Sequence, residues 1–124
     1  TMETHEIGSA SNILKDIISG AKRIEIRLGK PRFLEFKVGD HLSFREDIWS
    51  GNQLTASKPS ATVAEITEIK QFRSLEELFN EIDYHLVLPE ARDIQNAIAV
   101  YRKFIPYSDE LNLGVLAFYF KLLH

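Results

Sequence analysis

The chain reads as an α+β protein, a mixed β-sheet or small open barrel with helices packed on it. Three observations predict this. Stretches of alternating apolar and polar residues recur near 4–8, 22–29 and 61–72. Stretches with helical spacing fall near 9–20, 75–82 and 90–104, not after each strand in turn. The closing run, "LGVLAFYFKLL", is hydrophobic enough to sit centrally in a sheet. Regular alternation of strand and helix, which builds a doubly wound parallel sheet, is missing. With 124 residues, 44% hydrophobic and 27% charged, the chain suits one domain over 1–124 with a core of its own.

The elements follow in order. "THEIG" forms a short first strand. In "SASNILKDIISG", Ile13, Leu14, Ile17 and Ile18 make one apolar stripe; Ser9 or Ser11 caps its start and Gly20 its end. In "AKRIEIRL", Ile24, Ile26 and Leu28 alternate with Arg23, Glu25 and Arg27, giving a strand with one apolar and one charged face. Gly29 and Pro31 mark a turn. "FLEFKVGDHLSF" gives short extended pieces on either side of a turn at Gly39 and Asp40. Residues 46–60 are rich in turn formers and read as a long hairpin loop. "ATVAEITEIKQF" is the next strand. Ser74 and Glu77 form a capping box before a short helix that carries Leu75, Leu78, Phe79 and Ile82. After Pro89 a second helix runs over 90–104, with Ile94, Ala97, Ile98, Tyr101 and Ile105 at helical spacing, and Pro106 stops it. "SDELN" is a connecting turn before the last strand.

Composition excludes several chemistries. There is no cysteine, so disulfides and thiolate metal sites are ruled out; this fits a reducing cytoplasm. No run reaches membrane-spanning length, and the first residues do not form a secretory signal. His5, His41, His85 and His124 are scattered without ligand spacing, so no metal is expected. The six glycines are dispersed, there is no G-x-S-x-G, and no cofactor motif is present. The net charge of −3 argues against a protein that coats nucleic acid. Yet residues 15–37 hold seven basic and three acidic side chains, so that segment is +4 and the rest −7. A local basic patch suits a small anion or a short nucleic-acid contact.

One cluster has chemical shape. On a strand, Arg23, Glu25 and Arg27 share a face with neighbours about 7 Å apart. A carboxylate between two guanidiniums stays ionised and holds them in fixed directions. Arginine forks onto a phosphate or a base edge, and the Lys22 amine lies where it can reach the same hollow. The competing reading is an ion-pair ladder on solvated surface. Trp49 either stacks on a base or covers an apolar hairpin edge. Tyr101 and Tyr107 either offer hydroxyls to a cleft or pack at the surface. The helix at 90–104 is the candidate for a partner protein, should an apolar patch stand exposed on it.

"SGAKRIEIR" resembles the signature of the ASCH domain family, a branch of the PUA-like superfamily, which reads roughly S-G-x-K-x-[IV]-E-x-R. "FKVGDHLSF" is similar to its x-x-K-x-G-D-x-[IL]-x-F. "THEI", "ITEIKQFRSLEELF" and "YRKFIPYSDELNLGVLAFYFKLL" resemble further segments, so the likeness spans nearly the whole chain. The resemblance implies a PUA-like β-barrel or pseudobarrel of about five or six strands with flanking helices. It implies a cleft lined at Lys22, Glu25 and Arg27, with RNA or a small nucleotide-like ligand as partner. It also implies an alternative, a small hydrolase acting on a modified nucleoside or on RNA. The acetylcytidine amidohydrolases that this strand resembles use a lysine and a threonine; Lys22 matches the first, and Glu25 stands in place of the second. Their further glutamate would be Glu65, Glu68 or Glu81.

Overall fold

The computed structural model describes residues 1–123, with 60 and 61 described by their backbone alone. Five strands form one mixed sheet: β1 (Thr4–Ala10), β2 (Ile24–Leu28), β3 (His41–Ser50), β4 (Gln53–Phe72) and β5 (Val115–Leu123), in the order β1-β3-β4-β5-β2. Only β1 and β3 run parallel; β3–β4, β4–β5 and β5–β2 are antiparallel. The helices are α1 (Ser11–Ser19), α2 (Pro31–Leu34), α3 (Leu75–Glu81), α4 (Ile94–Arg102) and α5 (Tyr107–Leu113). None is long and apolar enough to cross a membrane.

Several elements depart from the sequence reading. Residues 46–60 are not a loop: β3 and β4 continue through them as a long hairpin that turns at Gly51. Cross-strand pairing of Asp47 with Ser57 and Ile48 with Ala56 outweighs the turn-forming composition. Pro31 starts α2, where its missing N–H costs nothing, so the stretch before the Gly39 turn is partly helical. "SDELN" lies within α5, with Pro106 as its N-cap residue. The closing strand is interior, but β4 holds the central place.

Hydrophobic periodicity explains how the layers stack. Along β5, Val115 and Ala117 face one cluster while Leu116, Phe118 and Phe120 face another. A strand buried on both faces needs such a continuous apolar run. The first cluster lies under α3 and α4, which bring Leu75, Leu78, Phe79, Ala97 and Ile98 to it. The second lies inside the curl of the sheet, where Leu14 and Ile17 of α1 meet Leu42, Phe44 and Ile66. Register shifts in β3 and β4, at Ser43/Arg45 and Ile66/Glu68, add the twist that curls it.

The curl brings the two edge strands near each other without pairing them. Arg27 on β2 donates through Nη2 to the Gly8 carbonyl on β1 at 2.8 Å, and Arg32 donates to the Glu6 carbonyl. Side chains therefore bridge the seam of the pseudobarrel. Gly8 leaves room there for the Arg45–Asp47 pair: a Cβ at this position would stand 2.0 Å from Asp47 Oδ2 and displace that side chain. The Gly39-Asp40 motif has a structural role at the other end of β1. Asp40 accepts from the Lys37 and Glu3 N–H groups and contacts His5 Nε2 at 2.8 Å, which ties the start of β1 to that of β3.

Candidate functional site

The two sides of β2 are both covered, and this decides what its charged face does. Ile24, Ile26 and Leu28 join the cluster under the helices. Glu25 and Arg27 stand opposite Phe118 and Leu116, on the inner side of the curl. There they line a cleft of about 580 Å³ at the seam. Its other walls are Gly8, Ser9 and Ala10 from β1, Ile13 of α1, and Arg45, Asp47 and Trp49 from β3, with Tyr101, Phe104 and Ile105 closing it from the α4 side. Glu25 and Arg27 are therefore no solvated ladder, whereas Arg23, just before β2, is exposed.

Glu25 is only 4% exposed. Its Oε1 accepts from the Ile26 N–H at 3.0 Å, an edge group that β5 does not use. Beyond that bond, its nearest cations are at longer range: Lys22 Nζ 3.7 Å from Oε1 and Arg27 Nη2 3.6 Å from Oε2. Burial pushes its pKa up, but the Lys22 and Arg27 charges outweigh burial and hold the carboxyl below its usual range. Glu25 is thus ionised at neutral pH.

Lys22 is 1% exposed and does not line the cleft. Its ammonium donates to the Ile24 carbonyl at 2.8 Å, the Val87 carbonyl at 2.7 Å and the Tyr101 hydroxyl at 3.2 Å. Three donors thus meet three acceptors. Burial lowers its pKa, opposed by Glu25. Tyr101 accepts this bond and borders the cleft; burial first, and the Glu25 charge second, push its phenol well above the ordinary value. Lys22 accordingly acts from behind the wall, fixing Tyr101 and neutralising Glu25.

Arg27 is partly exposed and lies over the Phe33 ring at 5.7 Å. Arg45 forks onto Asp47, Nε–Oδ1 at 2.7 Å and Nη2–Oδ2 at 2.9 Å, and reaches Glu6 at 3.1 Å. Asp47 also accepts from Ser57 at 3.0 Å, and these bonds, the Arg45 ones first, hold its carboxyl below the usual range. Four cationic side chains (Arg27, Lys30, Arg32, Arg45) and three carboxylates (Glu6, Glu25, Asp47) border the cleft. Trp49 and Phe104 stand exposed at its rim, on β3 and just beyond α4.

Of the residues singled out in the sequence, Glu25, Arg27 and Tyr101 meet at the cleft, with Lys22 behind them. Tyr107 does not join them: it is exposed and stacks with Arg102, 3.7 Å from guanidinium carbon to ring centre. Glu65, Glu68 and Glu81 are also elsewhere; Glu81 pairs with Lys70 at 3.0 Å and Glu65 faces Lys121 at 4.0 Å. Among the described residues no group of histidines and carboxylates could hold a metal ion, and His124 lies outside those residues. α4 buries Ala97 and Ile98 against the sheet. Sequence reasoning missed Ser9, Arg45, Asp47 and Phe104. Arg45 and Asp47 carried a signal, since i and i+2 share a face once 46–50 is a strand.

No family model matches the chain, and no curated protein matches it. Solved structures do. The chain is an α+β domain that shares the fold of an ASCH structure, its sheet curled but not closed. The chain is similar to the hypothetical protein PH0355, known from a crystal structure: 24% identity, TM-score 0.80, covering 98% of this chain and 100% of that one. It is also similar to protein PF0455 from Pyrococcus furiosus, solved by NMR: 26% identity, TM-score 0.74, 98% of each chain. A serine-to-alanine mutant of ZmASCH from Zymomonas mobilis shares the fold at 18% identity and TM-score 0.59, over 95% of this chain and 67% of that one.

Proposed function

We propose that the seam cleft binds RNA or a small nucleotide-like ligand, and that the protein meets this ligand in the cytoplasm. One observation carries the reading. Buried Glu25 and partly exposed Arg27 form a pre-oriented pair on the cleft wall, and the Glu25 carboxylate is held by the Ile26 N–H with Arg27 at 3.6 Å and Lys22 at 3.7 Å. Glu25 accepts from a base amino group, and Arg27 meets phosphate or a base edge. Exposed Trp49 and Phe104 at the rim supply faces on which a base stacks, as in single-strand recognition. The ASCH-like fold supports a role in RNA binding.

Hydrolysis is the second reading. An acid–base lysine must present its amine to substrate, but the donors of Lys22 are taken by Ile24, Val87 and Tyr101. Glu25 remains as the base, and its lowered pKa makes it a weak one at neutral pH. Binding therefore stands ahead of hydrolysis.

Trp49 is the single tryptophan of the chain and reports on the cleft. Titration with nucleoside monophosphates and short single-stranded RNA changes its fluorescence, with an affinity that falls as salt rises. Arg27→Ala weakens binding by about tenfold and reduces the salt slope by about one. Absence of any salt-sensitive binding across the panel overturns the proposal. Turnover of acylated cytidines or RNA that is lost in Glu25→Gln moves the weight to hydrolysis.

A further inference from the structure

The start of α1 carries an unanswered set of donors. Ser9 is 6% exposed and lines the cleft, and its Oγ has no hydrogen-bond partner. A buried hydroxyl left unpaired is costly and calls for an explanation. Sequence reasoning assigns Ser9 or Ser11 as the cap of α1, but neither acts so. The N-cap residue is Ala10, which has no side-chain acceptor, and the first turn holds no acidic residue. The α1 N–H groups therefore start uncapped, with the positive end of the helix dipole beside the cleft residues Ala10 and Ile13. The third donor is close by: Arg27 bonds to the Gly8 carbonyl, next to Ser9 in the chain.

A buried hydroxyl without a partner, the first-turn residue Ile13 and a guanidinium border one end of the cleft and match an anion with several oxygens. We propose that the start of α1 is a phosphate subsite. There Ser9 Oγ and the Ile13 N–H donate to the oxygens of a phosphate monoester or diester, and Arg27 supplies the charge. This rests on the nucleotide reading above and sharpens it. The preferred ligand is a nucleotide seated phosphate-first at α1, its base directed toward Trp49 and Phe104, and a nucleoside alone is a poor ligand.

Three probes test it by Trp49 fluorescence and calorimetry: a nucleoside monophosphate, the matching nucleoside and its 5′-carboxylate analogue. Inorganic phosphate serves as competitor. The monophosphate binds at least about tenfold more tightly than the nucleoside, and Ser9→Ala removes most of that difference. The carboxylate analogue falls between the two, which separates phosphate from anions in general. Thermal melts guard against misfolding. Without ligand, Ser9→Ala melts at or above the wild-type temperature, because it deletes an unpaired buried hydroxyl; with the monophosphate it loses the upward shift that the wild type shows. Equal affinity for nucleotide and nucleoside, or an equal loss of both in Ser9→Ala, overturns the subsite while the nucleotide reading stands. Binding of inorganic phosphate that depends on Ser9, with no gain from any nucleoside part, keeps the subsite and overturns the nucleotide reading. Failure of all these probes and of RNA overturns both.

Discussion

Two buried carboxylates in this molecule invite comparison. Glu110 on α5 accepts from the Leu75 N–H at 2.8 Å and from Arg102 Nη1 at 3.0 Å. Arg102 in turn reaches Glu76, the Ile105 carbonyl and the Tyr107 ring. These bonds join α3, α4 and α5 into one frame. Glu25 is as deeply buried, yet it has one short bond, from its own neighbour Ile26, and its cations stand beyond 3.5 Å. Glu110 is bonded to two other elements of the fold and does not line the cleft. Glu25 is ionised, held by one short backbone bond and by cations at longer range, and faces a cleft. The difference separates a carboxylate that holds structure from one kept ready for a partner.

The strongest way to break this contrast is through Lys22. Lys22→Ala leaves Glu25 buried without its nearest amine and strands the Ile24 and Val87 carbonyls, so a loss of about 3–5 kcal/mol in urea unfolding is expected. A loss below about 1 kcal/mol, with binding abolished, would instead make Lys22 a ligand contact.

The two carboxylates themselves come next. Glu110→Gln costs stability, up to about 3 kcal/mol, because Arg102 loses its buried counter-charge, and leaves cleft binding unchanged. Glu25→Gln weakens binding more than it weakens the fold. It also alters acid behaviour. The folded-state pKa of Glu25 lies below that of the unfolded chain. Its stabilisation is present above the unfolded value of about 4.3 and is lost as pH falls through the folded value. Wild type therefore loses stability below about pH 4 by a component that Glu25→Gln lacks. Parallel acid melts of both proteins would refute the assignment.

The smallest effect tests the frame around Glu110. Ser74 Oγ accepts from the Glu77 N–H at 3.0 Å, beside the Leu75 N–H that Glu110 serves. The Glu77 side chain turns to Arg73, so the capping box is made from one side. Ser74→Ala lowers stability by about 1 kcal/mol in thermal melts, with ligand affinity intact.

Periodicity made the α+β class, the strand at 24–28 and the shared face of Glu25 and Arg27 legible, and the ASCH resemblance pointed to a cleft there. Periodicity could not show that this face turns inward. That depends on the β2–β5 register, which sets Glu25 opposite Phe118 across more than ninety residues of sequence. The hairpin over 46–60 was hidden because its turn formers are overruled by cross-strand partners, and with it went Arg45 and Asp47. Lys22 stood out as a candidate position, but its direction was not visible. Three acceptors from β2, Val87 and α4 draw the amine behind the wall, and only the assembled fold brings them together.

The β2–β5 pairing has one more consequence, in the order of events on the ribosome. Among the described residues, 24–28 pair in the sheet only with 115–119 of β5. During synthesis Glu25 emerges more than ninety residues before Phe118, its partner on the strand that seats it. A growing chain can form the β3–β4 hairpin and bind α1 to it while the seam is still open. The cleft therefore cannot be complete before β5 has been made, and a nascent chain without β5 has no finished site with which to capture a ligand.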